Sequence, residues 1–146
     1  MDFEAINPEQ LEMPIGYAHG VLCPAGGRLL LVSGQYGTDR DGRLPQAEGL
    51  ESFLQQYDWA LQNVLDVVRT VGGGPESIAR LRIYVKRAGD VLAGRDRIAQ
   101  LFRARMGPHQ PAMTTLEVSG FLRPLATIRI EAEAVLTDWD LEQRPQ

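Results

Sequence analysis

The chain has 146 residues, of which 44% are hydrophobic and 23% charged, and its formal net charge is −4. This composition is typical of a soluble globular domain and excludes an intrinsically disordered chain. The acidic balance argues against a broadly basic nucleic-acid-binding surface, and the single cysteine, Cys23, excludes an internal disulfide framework or a multi-cysteine zinc site. No apolar run approaches the ~20 residues that span a bilayer, and the N-terminus shows no secretory h-region. We expect one cytoplasmic domain over 1–146, with irregular peripheral segments at 1–14 and 138–146.

The first half of the chain predicts two strands followed by a long helix. A short strand is expected within 16–22, and the apolar run RLLLVS at 28–33 predicts a buried strand that ends there. The Gly-, Asp- and Pro-rich stretch that follows indicates a hairpin or loop. Apolar residues then recur at i, i+3 and i+4 from Glu51 to Val71, which predicts a helix ended by Gly72–Pro75.

The second half predicts a strand, a second helix and two more strands. Alternation over 79–86 indicates a strand, and Asp90 is a candidate N-cap for a helix over 91–106. Strands are expected at 113–118 and 126–136, and the second of these has the strongest alternation in the chain. The order β-β-α-β-α-β-β is that of an α+β fold, with two helices on one face of a sheet.

Two helices cover only one face of such a sheet, so the other face is left uncovered. This charged face could be exposed to solvent or could contact further copies of the chain, and both interpretations stay open. Glu131 and Glu133 are more typical of a ladder paired with Arg80 or Arg82 than of acid–base catalysis, although two carboxylates also suit that chemistry. The side chains that alternation places on the uncovered face are Arg80, Arg82, Tyr84, Arg129, Glu131 and Glu133.

Common catalytic signatures are absent from the sequence. It has no P-loop, no dinucleotide-binding glycine motif after a strand, no zinc-protease helix motif and no nucleophile elbow. The two histidines, His19 and His109, are too far apart in sequence to indicate a metal site, and no base is fixed near Cys23. We therefore expect no metal and no cofactor. Ser33 and Gly34, at the expected end of a buried strand, are a weak indication of a ligand site.

Six motifs follow one another along the chain: GYAHGV at 16–21, LLLVSGQYG at 29–37, LQNV at 61–64, RIYVKR at 82–87, Pro-Ala at 111–112 leading into LEVSGF, and IRIEAEAV at 128–135. As an ordered set covering about residues 5–137, they resemble the RidA family, also called YjgF. The resemblance implies a chorismate-mutase-like α+β fold and a homotrimer whose sheets form a central barrel. It also implies small-molecule pockets in the clefts between subunits.

The best-studied members of that family hydrolyse reactive enamines and imines to 2-keto acids and ammonia, without a metal or cofactor. Other members bind ligands, and some were described as ribonucleases. By resemblance, the pocket includes Tyr17, Ser33, Gly34 and the backbone around Thr114 and Thr115. Thr115 falls where deaminase members present a backbone carbonyl to the reacting imine.

Two positions depart from the deaminase pattern. In deaminase members the Pro-Ala pair is followed by an Arg that binds the substrate carboxylate, and here that position is Met113. A thioether cannot replace a bidentate guanidinium. Between the two isoleucines of the last strand, where those members have a Glu that positions water, this chain has Arg129. Together with Phe121, Met113 predicts a more apolar pocket and a larger or less charged ligand.

These departures leave three functional interpretations. The first is a divergent hydrolase of a small imine, enamine or related carbonyl metabolite, in which Arg129 binds the substrate carboxylate and Glu131 supplies the acid. The structural alternative is that Arg129 pairs with Glu131, Glu117 or a second subunit. The second is a non-catalytic homotrimer that binds a small ligand. The third and weakest is RNA binding or cleavage, which the acidic net charge opposes. No membrane partner is expected.

Overall fold

The computed structural model describes residues 3–145 as a mixed α+β fold with two sheets and four helices. The N-terminal half contains β1 (Glu4–Ile6), β2 (Gly20–Leu22), β3 (Arg28–Tyr36) and α1 (Gly49–Thr70). A 3₁₀ turn at Pro75–Ser77 leads into the second half, which contains β4 (Ile78–Val85), α2 (Ala88–Ala93), α3 (Arg95–Met106), β5 (Ala112–Glu117), β6 (Ile128–Leu136) and α4 (Asp138–Glu142). The predicted α+β class is confirmed.

The main sheet has four strands in the order β3-β6-β4-β5. Strand β6 is antiparallel to both β3 and β4, whereas β5 runs parallel to β4. A parallel pair requires a crossover connection, which α2 and α3 supply. Strands β3 and β5 therefore form opposite edges of the sheet, and β1 and β2 pair with each other in a separate two-stranded sheet.

The hydrophobic core lies between α1 and one face of the main sheet. The predicted stripe on α1 is buried, including Phe53, Leu61 and Leu65, and alternate residues of β6 from Ile128 to Leu136 face it. Each large apolar side chain removed from water here contributes roughly 1.5–3 kcal/mol. Helix α3 packs beside α1 and adds Met106 to the same core. None of the helices in residues 3–145 is long and apolar enough to cross a membrane.

The single helix predicted over 91–106 is in fact two helices, and Asp90 is not its cap. Helix α2 ends at Ala93, the N–H of the following Gly94 bonds to the Asp90 carbonyl, and α3 starts at Arg95. Gly94 is buried, and a side chain there would lie 3.0 Å from Leu54 of α1. The helix breaks because the chain turns close against α1 at this point.

Both peripheral segments contain regular structure that the sequence did not suggest. Glu4–Ile6 pairs with Gly20–Leu22, and the segment 138–146, which we expected to be irregular, contains α4. Thr137 caps α4, because its hydroxyl accepts from the Asp140 N–H at 3.2 Å while the Asp140 carboxylate accepts from the Thr137 N–H at 2.8 Å. Helix α4 packs so closely on Gly72 that a side chain there would overlap the Asp140 carbonyl.

Candidate functional site

The uncovered face of the main sheet carries a ladder of charged side chains on β4 and β6. Arg80 donates to Glu133 at 2.6 Å, and Arg82 donates to the other oxygen of Glu133 at 2.7 Å. The predicted pairing with Arg80 or Arg82 is thus confirmed for Glu133. Partial burial disfavours the ionised form of Glu133, but the two guanidinium groups outweigh it and lower the Glu133 pKa.

Glu131 belongs to the same ladder but has a different partner. The Tyr84 hydroxyl donates to its Oε1 at 2.5 Å, and Arg82 lies 3.6 Å away. The hydrogen bond to Glu131 is the largest cause of a raised pKa at Tyr84, so Tyr84 remains a donor. Within residues 3–145, Oε2 of Glu131 receives no hydrogen bond, which leaves it available to a water or a ligand.

Arg129 is held in place without a carboxylate. Its Nε donates to the Gly34 carbonyl at 3.1 Å, and its guanidinium carbon lies 4.7 Å from the centre of the Tyr36 ring. No Asp or Glu in the described part of the chain lies within ion-pair distance of it, so the pairing with Glu131 or Glu117 does not form. Both Nη groups of Arg129 therefore keep their hydrogen-bonding capacity.

A β-bulge in β3 makes this arrangement of Arg129 sterically feasible. We expected β3 to end at Ser33, but it continues to Tyr36, with a register shift between Val32 and Gln35. The extra residue places Tyr36 directly opposite Arg129. A side chain at Gly34 would lie 2.5 Å from the Arg129 Nε, so glycine is required for the guanidinium to cross β3.

These groups surround one cleft of about 460 Å³, which we call the Arg129 cleft. Phe121 closes it from the loop between β5 and β6, with its ring edge-on to Tyr36 at 5.8 Å. Arg123, on the same loop, lies 5.8 Å from the Tyr36 ring. Five of the nine predicted site residues therefore come together within one chain. The lining residues are Ser33, Gly34, Tyr84, Val118, Gly120, Phe121, Arg129 and Glu131.

The other four predicted residues lie towards the opposite edge of the sheet, around β5. Tyr17 packs edge-on against His19 at 5.5 Å, in a segment joined to the start of β5 by a bond from the Ala18 N–H to the Pro111 carbonyl. Thr114 and Thr115 are exposed on β5. Met113 lies opposite Leu81, so its side chain is on the helix-covered face and packs against the core.

Gln56 on α1 is a supporting residue that sequence reasoning missed. Its side chain is 1% exposed, and its Oε1 accepts from the Thr127 N–H at 2.9 Å. Its Nε2 donates to the Ser52 hydroxyl at 3.0 Å and approaches the Leu125 carbonyl at 3.4 Å. These bonds fix the loop that carries Phe121. A polar residue inside the apolar stripe of α1 was the available signal.

The histidines do not form a shared site. His19 hydrogen-bonds to the Glu12 carbonyl and His109 to the Ile78 carbonyl. Over residues 3–145, no group of three or more His, Cys, Asp or Glu side chains is placed to hold a metal ion.

The family model described as Endoribonuclease L-PSP matches residues 10–136. The chain belongs to this family. A solved structure of YyfB from Yersinia pestis, described as a conserved Rid-family protein of unknown function, is 32% identical, with a TM-score of 0.79 over 93% of this chain and 100% of YyfB. The resemblance to the Rid/YjgF proteins is thereby confirmed. No curated protein matches the chain.

More distant solved structures share the Rid fold. The YjgF gene product of E. coli is 25% identical, with a TM-score of 0.63 over 90% of this chain and 98% of its own. E. coli TdcF, whose structure contains bound serine, is 20% identical, with a TM-score of 0.64 over 92% of this chain and 99% of TdcF. The TdcF likeness is a likeness of fold alone.

Proposed function

We propose that this Rid-family protein hydrolyses a small imine or enamine that carries a carboxylate, and that it does so in the Arg129 cleft. The observation that carries the proposal is the placement of Arg129 beside Glu131 and Ser33, with no carboxylate partner in residues 3–145. A guanidinium fixed by a carbonyl and an aromatic ring, with both Nη groups unused, suits a bidentate bond to a carboxylate.

Glu131 supplies the acid–base chemistry of the proposed reaction. Its Oε1 is occupied by the Tyr84 hydroxyl, so Oε2 is the atom that accepts a proton from water. Water adds to the carbon of the C=N bond, and its proton passes through Glu131 to the nitrogen. The added hydroxyl group then gives up its own proton, which Glu131 also passes to the nitrogen, and the C–N bond breaks as the C=O bond forms, giving a 2-keto acid and ammonia.

The proposed active form is a homotrimer. The predicted pocket residues divide between the Arg129 cleft and the β5 edge, so one chain does not bring them together. A second copy that places its β5 edge beside β3 would complete the set. Leu29 and Leu31 support such contact, since they are 64% and 69% exposed on the uncovered face. Light scattering from the purified protein should give three times the chain mass.

An imine-hydrolysis assay tests the activity. An amino-acid oxidase generates 2-imino acids with different side chains, and the protein competes with semicarbazide for them. We expect the wild type to accelerate hydrolysis. Arg129→Leu should lower kcat/KM by about 100-fold, because the charge-assisted bond to the substrate carboxylate is lost, while Arg87→Leu, an exposed arginine outside the cleft, should have no effect.

Two further variants separate anchoring from chemistry. Glu131→Gln should lower kcat with little change in KM, since it removes the base but leaves Arg129 to bind the substrate carboxylate. The double variant Met113→Arg with Arg129→Glu restores the deaminase residues at both positions. The proposal fails if the wild type accelerates the hydrolysis of no imino acid, or if Arg129→Leu behaves as Arg87→Leu does.

A second candidate is ligand binding without catalysis. Its supporting observation is Met113, which brings no charge to the position where deaminase members have their anchoring Arg. Binding of a 2-keto acid by calorimetry, without imine hydrolysis, would favour it. RNA cleavage is not proposed, because the net charge of −4 disfavours binding to the negatively charged phosphate backbone of RNA.

A further inference from the structure

A second cleft lies at the end of the main sheet where β6 ends and β4 begins, away from Arg129. It has a volume of about 660 Å³, within the range of small-molecule sites, and we call it the Trp139 cleft. It lies between the C-terminal end of α3, the 3₁₀ turn before β4, the N-terminal segment and α4. Part of its wall is apolar and contains Phe3, Met106 and Val135.

Segments outside the family match contribute to this cleft. The match covers residues 10–136, whereas Phe3 precedes it and Trp139 of α4 follows it. Helix α4 is fixed in place, because Thr137 caps it and because it packs closely on Gly72. The cleft is therefore not specified by the family pattern.

The charged groups of this cleft are carboxylates. Glu76 and Asp140 line it, and none of the lining residues is a lysine or an arginine. In the described part of the chain, no basic side chain lies within ion-pair distance of either carboxylate. The Oδ2 of Asp140 accepts from the Thr137 N–H at 2.8 Å, and its Oδ1 receives no hydrogen bond from residues 3–145. The cleft therefore favours a cation.

Aromatic rings line the same cleft. Trp139 is 69% exposed, although tryptophan has much apolar surface to bury. The Phe3 ring packs on the ring of His109, with the centroids 5.9 Å apart, and His109 is held by a 2.7 Å hydrogen bond to the Ile78 carbonyl. The face of an indole attracts ammonium ions more strongly than the other aromatic side chains do. An indole and carboxylates in one cleft together suit an organic ammonium ion.

The inner wall contains a buried hydroxyl group with an unused hydrogen. Ser77 is 4% exposed, and its Oγ accepts from the Gly74 N–H at 3.1 Å. Within residues 3–145 this hydroxyl donates to no acceptor, although Ser77 lines the cleft. Buried polar groups are usually hydrogen-bonded, so the unused donor indicates an acceptor oxygen on the ligand.

We propose that the Trp139 cleft binds an organic ammonium ion that carries an oxygen close to its charge. The ammonium group lies against the Trp139 indole, beside Glu76 and Asp140. The oxygen accepts from Ser77 at the inner wall. This site is independent of the proposed hydrolase function, because none of the residues that line the Arg129 cleft lines this one.

Three matched probes test the proposal by titration calorimetry on the full chain. They are choline, 3,3-dimethylbutan-1-ol, in which a carbon replaces the charged nitrogen, and ethyltrimethylammonium, which lacks the hydroxyl group. Sodium chloride keeps the ionic strength equal in every titration. We expect choline to bind about tenfold more tightly than the neutral alcohol and about fivefold more tightly than ethyltrimethylammonium, from one hydrogen bond.

Matched variants locate the binding. Trp139→Leu should weaken choline binding about tenfold and Glu76→Gln about fivefold, while Glu48→Gln, an exposed carboxylate at the other end of α1, should have no effect. Ser77→Ala should abolish the preference for choline over ethyltrimethylammonium. In Trp59→Phe, Trp139 is the only tryptophan, and choline should change its fluorescence. Thermal unfolding of each variant checks that the fold is intact.

Four results would overturn the proposal. The first is a wild type that binds no choline, or that binds choline and the neutral alcohol equally. The second is choline binding by Trp139→Leu and Glu76→Gln that matches that of Glu48→Gln, which would place the probe elsewhere. The third is an unchanged preference in Ser77→Ala. The fourth is a fluorescence change in Trp59→Phe that sodium chloride produces equally, since ionic strength alone would then account for it.

Discussion

The two faces of the main sheet are made by the same strands and differ in nearly every property. Along β6, Ile128 and Ile130 point to α1 and are buried, while the intervening Arg129 and Glu131 point away and are partly exposed. One face gives the fold its stability through apolar burial. The other places charged groups at fixed distances from one another. Substitutions on the two faces should therefore have different effects, and the predictions below test this difference.

The largest expected effect is on the helix-covered face. Leu81 is 0% exposed in the core, and Leu81→Ala should lower the free energy of unfolding by about 2–5 kcal/mol, through lost burial and the cavity left behind. Urea denaturation followed by circular dichroism measures it.

Leu31→Ala is the matched substitution on the uncovered face. Leu31 is 69% exposed, so the loss in an isolated chain should stay within about 0.5 kcal/mol. A loss as large as that of Leu81→Ala in the purified protein would mean that another copy buries this face, as the proposed homotrimer requires.

Gly34→Ala should have an intermediate effect. Its new methyl group would lie 2.5 Å from the Arg129 Nε, and we expect a loss of about 1–3 kcal/mol from overpacking. Combining it with Arg129→Ala should restore most of that loss, because the colliding side chain is gone. Equal losses with and without Arg129 would show that the backbone of the bulge, rather than Arg129, requires glycine.

A smaller effect than that of Leu81→Ala should be a change in acid sensitivity. The pKa of Glu133 is lowered in the folded protein, so its ion pairs stabilise the fold above the ordinary carboxyl value of 4.5, and this contribution is lost as the pH falls below it. The Arg80 and Arg82 side chains are 45% and 36% exposed, so solvent limits the contribution to about 1 kcal/mol.

Glu133→Gln should therefore destabilise the protein at pH 7, while its stability should fall less steeply between pH 5 and pH 3. Thermal unfolding across that range compares the two proteins. If stability falls equally steeply with pH in the variant and the wild type, the Glu133 ion pairs are not the source of the acid sensitivity.

Much of the fold could be predicted because its signals are local. The i, i+3, i+4 stripe of α1 and the alternation of β4 and β6 are properties of short windows, and the cross-strand pairing of Glu133 follows from alternation. The break at Gly94 was missed because it depends on Leu54, 40 residues earlier in the chain.

The candidate site was harder to predict, because it depends on which face a side chain occupies. The bulge at Gly34 moves Tyr36 to the uncovered face, and alternation alone does not reveal that shift. Met113 shares a strand with Thr114, but the two side chains lie on opposite faces of β5, and Met113 packs against the core. A glycine inside an apolar strand was the available signal for the first of these.

The order of strands in the sheet also shapes how the chain folds. Within residues 3–145, β3 pairs only with β6, so Gly34 meets Arg129 across a separation of 95 residues. Strand β6 also pairs with β4, so β3 cannot join the four-stranded sheet until β6 has formed. A long loop must close before that pairing forms, which makes it a slow step. During synthesis the apolar segment 29–32 stays unpaired until β6 has been made, about 100 residues later, and it is open to misassociation in that interval.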